Sequence, residues 1–167
     1  MSQPASIPAS PPPAKSASKL PPFDWADQLL LSGQLSEDER MAYDMAIRFA
    51  EEELFPGVLE ANRNQTFDRG IYKKLGDAGF LGIGLEGYGC PGGSAVMYGL
   101  VARAIEGCDS AYRSAMSVQS SLVMWPIHTY GTEEQKQRIL PKLASGEWVG
   151  SFAVSYTHLR AHETDRH

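Results

Sequence analysis

Cysteine is nearly absent from this chain. Cys90 and Cys108 are the only two in 167 residues, too few for a disulfide framework and in keeping with a reducing compartment. Positive charge is also scarce: 15 Lys and Arg stand against 20 Asp and Glu, for a net charge of -5. That balance argues against a nucleic-acid surface, which needs a basic field to meet phosphates. No apolar run approaches the roughly 20 residues of a membrane span. Residues 1–22 lack arginine, an amphipathic period and an apolar core, which argues against transit and secretory signals. Histidine is confined as well. Three of the four, His158, His162 and His167, crowd the end of the chain. His128, the remaining one, has no second metal donor nearby, so no metal site is expected.

What is present is ordinary for a soluble globular domain, 43% hydrophobic and 21% charged, and a cytoplasmic, bacterial location is expected. Residues 1–22 are Pro, Ala and Ser with two lysines, a composition that cannot bury enough apolar surface to offset ordering and predicts a disordered extension. A helical domain is expected over residues 23–146. Ser36 with Glu39 forms a capping box, and Tyr43, Ile47, Ala50 and Leu54 make one apolar stripe that Pro56 is expected to end. Ile71, Leu75 and Ala78 form a shorter stripe closed by Gly79. The loop LGIGLEGYGCPGGS carries six glycines, but no Lys-Ser or Lys-Thr pair follows and no alternating strand precedes it. It is better read as a helix-to-helix crossover than as a phosphate loop.

Met97, Leu100, Val101, Ala104 and Ile105 mark a third helix. SAYRSAMSVQSSLVMWPIHTYG carries a fourth, closing at Gly131. Thr132 with Gln135 is a second capping box, opening a helix that Pro141 is expected to break in two. EWVGSFA then departs from the helical pattern and reads as the entry to a strand. Glu51, Glu52 and Glu53 read as a solvated helix face.

The candidate chemistry lies in AIEGCDSAYRSAM. Glu106 and Arg113 are spaced by two helical turns, although Gly107 and Asp109 allow a break with Asp109 capping the next helix. The plain reading is an exposed ion pair of little worth. The sharper one has Arg113 and the Ser114 hydroxyl receiving an anionic group, with Glu106 steadying the guanidinium fork.

ANRNQTFDR, LEGYGCPGGSAVMYGLVARAIEGCDSAYRSAMSVQSSLVM, YGTEEQKQRILPKLASGE and GSFA together resemble the acyl-CoA dehydrogenase family, from about Phe23 to Ala153. YRSAMSVQSSLVM points to its glutaryl-CoA dehydrogenase branch. The resemblance implies an all-α fold: the helical N-terminal domain of the family, running at residues 147–153 into the first strand of a middle β-domain. It implies FAD as cofactor, with Phe152 beside it. It also implies oxidative decarboxylation of glutaryl-CoA to crotonyl-CoA and CO2, a step of amino-acid degradation, with electrons passed to an electron-transfer flavoprotein by a homotetramer. By that resemblance Arg113 and Ser114 contact the distal carboxylate of the substrate and Glu106 lies beside the arginine. It favours the sharper reading of that cluster.

No catalytic residue is expected in this chain, because the family's general-base glutamate belongs to a C-terminal domain. The chain alone is therefore expected to be inactive. Two alternatives remain: a short-chain acyl-CoA dehydrogenase whose substrate has no distal carboxylate, or a non-catalytic helical interaction module.

After Ala153 the family pattern would continue Leu-Thr-Glu-Pro, whereas Val154-Ser155-Tyr156-Thr157 stands here. VSYTHLRAHET is also the translation of a common transposase-type sequencing adapter, whose two skipped leading bases complete an alanine codon matching Ala153. Residues 154–167 are expected to be a non-native tail, and the His158–His162 spacing an accident of that origin.

Overall fold

The computed structural model describes Phe23, Trp25 and residues 27–153. The expected extension over residues 1–22 and the expected tail, with its histidines, lie outside the described residues. The chain divides into two compact units, Met1–Gln34 and Leu35–His167. In the first, the Asp27 carboxylate accepts from the backbone N–H groups of Leu31 and Ser32, both at 2.8 Å, at the start of a 3-10 turn, Ser32–Gln34.

The second unit is helical. Helix α1 (Glu37–Phe49) opens on the expected capping box: the Ser36 hydroxyl accepts from the Glu39 N–H and the Glu39 carboxylate from the Ser36 N–H. Its stripe buries Ala50 and Leu54. Pro56 does not end it. The chain widens into a π turn, Ala50–Leu54, in which the Phe55 N–H reaches back to the Ala50 carbonyl, and then continues as α2 (Phe55–Asn64). Proline lacks an N–H and its ring crowds the carbonyl four residues earlier; a wider turn loosens that ladder where the ring sits. The helix ends instead at Gln65, in the left-handed conformation with φ 53°.

Helix α3 (Ile71–Asp77) buries Ile71 and Leu75, and Gly79 leaves it at φ 72°, as its place after the stripe predicts. The glycine-rich crossover contains a feature with no alternating signal in the sequence, a minimal antiparallel hairpin of β1 (Glu86–Gly87) and β2 (Cys90–Pro91) in which Gly87 faces Cys90. Tyr88 and Gly89 at its tip both have positive φ, 53° and 83°, as a two-residue hairpin of right-handed twist requires.

Helix α4 (Ala95–Glu106) starts at Ser94, whose hydroxyl accepts from Met97 N–H and donates to Glu39 at 2.8 Å. This bond joins α4 to the start of α1, along which it packs. Helix α5 (Ser110–Ser117) passes through a second π turn, Val118–Met124, into α6 (Trp125–Tyr130). Here again the wide turn precedes a proline: the Trp125 N–H reaches the Ser120 carbonyl and Pro126 follows.

Helix α7 (Glu133–Ala144) has the second capping box, Thr132 with Gln135, and is continuous through Pro141. The expected break does not occur. Pro141 and Gln137 both lie on the exposed face of the helix, while Leu140, Leu143 and Ala144 anchor the other face in the core. Leu54, Leu75, Ile105, Met116 and Leu140 lie at the centre of that core. After α7 the backbone comes into direct contact with α3: a Cβ on Gly76 would collide with the Ser145 backbone, and one on Gly146 with the Tyr72 carbonyl. Residues 147–153, where a strand was expected to begin, carry no regular secondary structure. Among the described residues, no helix is long and apolar enough to cross a membrane.

Candidate functional site

The α4–α5 corner builds the site. Helix α4 stops at Glu106, and the Asp109 N–H still bonds to the Ile105 carbonyl at 3.0 Å. Asp109 then takes extended backbone angles and caps α5, its Oδ1 accepting from Ala111 N–H at 2.7 Å and Tyr112 N–H at 3.4 Å. The break foreseen at Gly107–Asp109 is present, yet it returns the first turn of α5 alongside the last residue of α4.

Glu106 and Arg113 therefore meet. Arg113 Nε donates to Glu106 Oε2. The other carboxylate oxygen, Oε1, accepts from the Ser110 hydroxyl at 2.6 Å. Arg113 Nη1 donates to Ser117 Oγ at 3.2 Å, and that hydroxyl donates to the Ser114 carbonyl at 3.2 Å. Glu106 is held below the usual carboxylate range, first by the Ser110 hydroxyl and then by Arg113, so it is anionic at neutral pH. The guanidinium has five N–H groups. Those on Nε and Nη1 just named are engaged, and the outer edge has no partner among the described residues. The Arg113 side chain as a whole is 36% exposed.

Ser114 is half-buried, and its hydroxyl makes no bond to Arg113. Consecutive helix residues do not face each other. The structure thus brings Glu106 to Arg113 and adds Ser110 and Ser117, which the sequence reading missed. Ser117 sits four residues beyond Arg113 on one helix, and that spacing was the available signal. Ser110 reaches Glu106 across the break between α4 and α5, which no helical spacing announces.

A cleft of about 640 Å³ adjoins Glu106, walled by Tyr43, Ile47 and Phe55 on one side and by Arg103, Ala104 and Cys108 on the other. Arg113 does not line it. Burial raises the Cys108 thiol, with Asp109 adding to the shift, so it is not an activated nucleophile.

The other polar centre is Gln119, 1% exposed within the second π turn. Its Nε2 donates to the carbonyls of Leu143 at 3.1 Å and Trp148 at 2.7 Å, and its Oε1 accepts from Gly150 N–H at 3.0 Å. It holds the segment leading to Phe152, which is itself 54% exposed. His128 donates from Nε2 to the Glu86 carbonyl at 3.2 Å and packs against Tyr88, whose hydroxyl donates to Glu133 at 2.8 Å. These contacts seat the hairpin on α6 and α7. Its neighbour in the crossover, Gly82, donates its N–H to the Ser120 hydroxyl at 3.0 Å, so that amide is engaged within the fold. Among the described residues, no group of His, Cys, Asp and Glu is placed to hold a metal ion.

Residues 36–147 match the family described as acyl-CoA dehydrogenase, N-terminal domain. A probable acyl-CoA dehydrogenase of Bacillus subtilis is 34% identical over 127 residues, covering 73% of this chain and 32% of the relative. A glutaryl-CoA dehydrogenase of Mycobacterium smegmatis, solved in complex with FADH2, superposes with a TM-score of 0.71 at 40% identity, covering 74% of this chain and 32% of that one. The butyryl-CoA dehydrogenase of Megasphaera elsdenii gives a TM-score of 0.65 at 28% identity, covering 70% and 31%. The chain spans about a third of the length of these relatives.

Proposed function

Because the chain belongs to the acyl-CoA dehydrogenase family through its N-terminal domain, we propose that it is the carboxylate-selecting part of an enzyme that oxidises and decarboxylates glutaryl-CoA to crotonyl-CoA. The observation that carries this reading is the Glu106–Arg113 corner. A half-exposed ion pair contributes little to folding, yet this one is braced by two serine hydroxyls and leaves guanidinium N–H groups without a partner among the described residues. An arginine held by Nε in this way is preorganised to receive a second carboxylate in a fork. A butyryl chain has no group for it. The greater identity to the glutaryl-CoA dehydrogenase than to the butyryl-CoA dehydrogenase supports the same choice.

Arg113 would bind the distal carboxylate and, by ion pairing, fix how far the acyl chain enters. Glu106 would hold the guanidinium in place. Ser114, next to Arg113 in the chain, would lend its hydroxyl to the same carboxylate. Trp148, Val149 and Phe152 expose apolar surface in a segment whose backbone is pinned, which fits one wall of a site for a planar isoalloxazine, with Phe152 at its edge. FAD, when bound, supplies the hydride acceptor for α,β-dehydrogenation. The proton at the α-carbon is assigned to a glutamate outside this chain, and the electrons to an electron-transfer flavoprotein.

The test is substrate selectivity in a full-length enzyme containing this domain. Arg113→Ala should depress turnover of glutaryl-CoA far more than that of butyryl-CoA. Equal losses with flavin content intact would make Arg113 structural and remove the glutaryl assignment. The 167-residue chain alone should be colourless and inactive; a stoichiometric flavin spectrum from it would overturn that part.

A further inference from the structure

We propose that Gln119 is a positioning residue whose side-chain amide serves as a one-residue strand partner, fixing the direction in which the chain leaves α7. A fully buried amide is costly unless bonded, and this one uses both Nε2 protons and its oxygen. The pattern of its partners is informative. It donates to the carbonyl of Trp148 and accepts from the N–H of Gly150. Those two groups flank Val149, and they are the pair that a residue of a neighbouring parallel strand would engage. The third bond, to the Leu143 carbonyl, ties the same amide to the last turn of α7. The exit segment is thus held by one side chain although no strand lies beside it among the described residues.

A second contact acts at the same place. A Cβ on Gly150 would collide with the Val123 side chain, so the backbone there is pressed against the π turn that carries Gln119. That turn continues from α5, so Arg113 and the path toward Phe152 are both referred to one continuous rod. The consequence for catalysis, that Gln119 sets the flavin wall relative to the carboxylate fork, rests on the function proposed above. The pinning itself does not.

Amide exchange on the purified chain tests the pinning. Gly150 N–H should be protected, and Gln119→Leu should reduce its protection by roughly fivefold to tenfold. Trp148 N–H, bonded to the Lys142 carbonyl, should hold its protection as the internal control. Gln119→Glu adds a readout that packing alone would not move and serves equally if the leucine variant fails to fold. The introduced carboxylate faces two carbonyls when ionised, and it regains a donor when protonated. Gly150 protection, corrected for intrinsic exchange, should therefore be low at neutral pH and recover in acid. Unchanged protection in a folded Gln119→Leu, or a pH-independent Gln119→Glu identical to the parent chain, would overturn the role.

In a full-length enzyme, Gln119→Leu should weaken flavin retention. Unchanged flavin retention would overturn the catalytic consequence. Failure of Arg113→Ala to change selectivity would instead remove the functional reading and leave the Gly150 result standing.

Discussion

Two polar centres lie along one helical rod, and they are built in opposite ways. At Arg113 the polar groups are charged, partly exposed and joined mostly within two adjoining helices, with a donor edge left over. At Gln119 the group is neutral and buried, and its partners lie 24, 29 and 31 residues further along the chain. A charge pair in water adds little to stability, whereas an amide sealed in a core is destabilising if any partner is lost. The first arrangement is suited to meeting something outside the chain and the second to fixing the chain itself. Substitutions at the two centres should therefore separate binding from folding.

The largest effect is expected at Arg113, and in catalysis rather than folding. Removing one partner of a charge pair made in a desolvated pocket costs on the order of 2–5 kcal/mol, roughly one and a half to three and a half powers of ten in kcat/KM for glutaryl-CoA. Arg113→Lys should also be costly, because a point charge does not reproduce the fork. Urea unfolding of the same Arg113→Ala change in the isolated chain should show a stability loss below about 1 kcal/mol. A larger loss would erase the contrast between the centres.

Next comes Gln119→Leu, which strands two carbonyls and an N–H; a loss of about 1–3 kcal/mol is expected from the denaturation midpoint. Gly150→Ala tests the same seat sterically. Overpacking against Val123 should cost about 1 kcal/mol, less than usual because the segment lies near the surface.

The smallest effect is on pH. The folded-state pKa of Glu106 is depressed, so its contribution is present above the unfolded value and is lost as pH falls through the folded one. Acid titration followed by the Arg113 Nε–H resonance should report the release of the guanidinium, while Gly150 protection, which depends on no titrating side chain, should not follow it.

The sequence was informative wherever a local rule had no competitor. Ser36 with Glu39, Thr132 with Gln135, Asp109 and Gly79 end or begin their helices as their chemistry dictates, because caps depend on groups a few residues away. Glu106 and Arg113 were paired in the sequence by a two-turn spacing, but the structure joins them across the corner between α4 and α5. Pro56 and Pro141 were not legible: a π turn accommodates one, and burial of the opposite face carries the helix past the other, and neither remedy leaves a local trace. The hairpin at Tyr88 was hidden because strands of two residues have no alternation to display. Gln119 was hidden for a similar reason. Its meaning resides in partners on and beyond α7, and a glutamine in a helix is unremarkable until they are known.

The contact between α3 and the turn after α7 has a consequence for how this domain is free to diverge. When a new side chain strikes another side chain, a second substitution can trim the obstacle and restore fitness. At Gly76 and Gly146 the obstacle is main chain, the backbone of Ser145 in one case and the Tyr72 carbonyl in the other, and no codon change removes a peptide group. Compensation is closed at these two positions. Lineages that keep this helix pairing must keep both glycines, and a lineage that loses one has only displacement of α3 from the chain after α7 as its recourse.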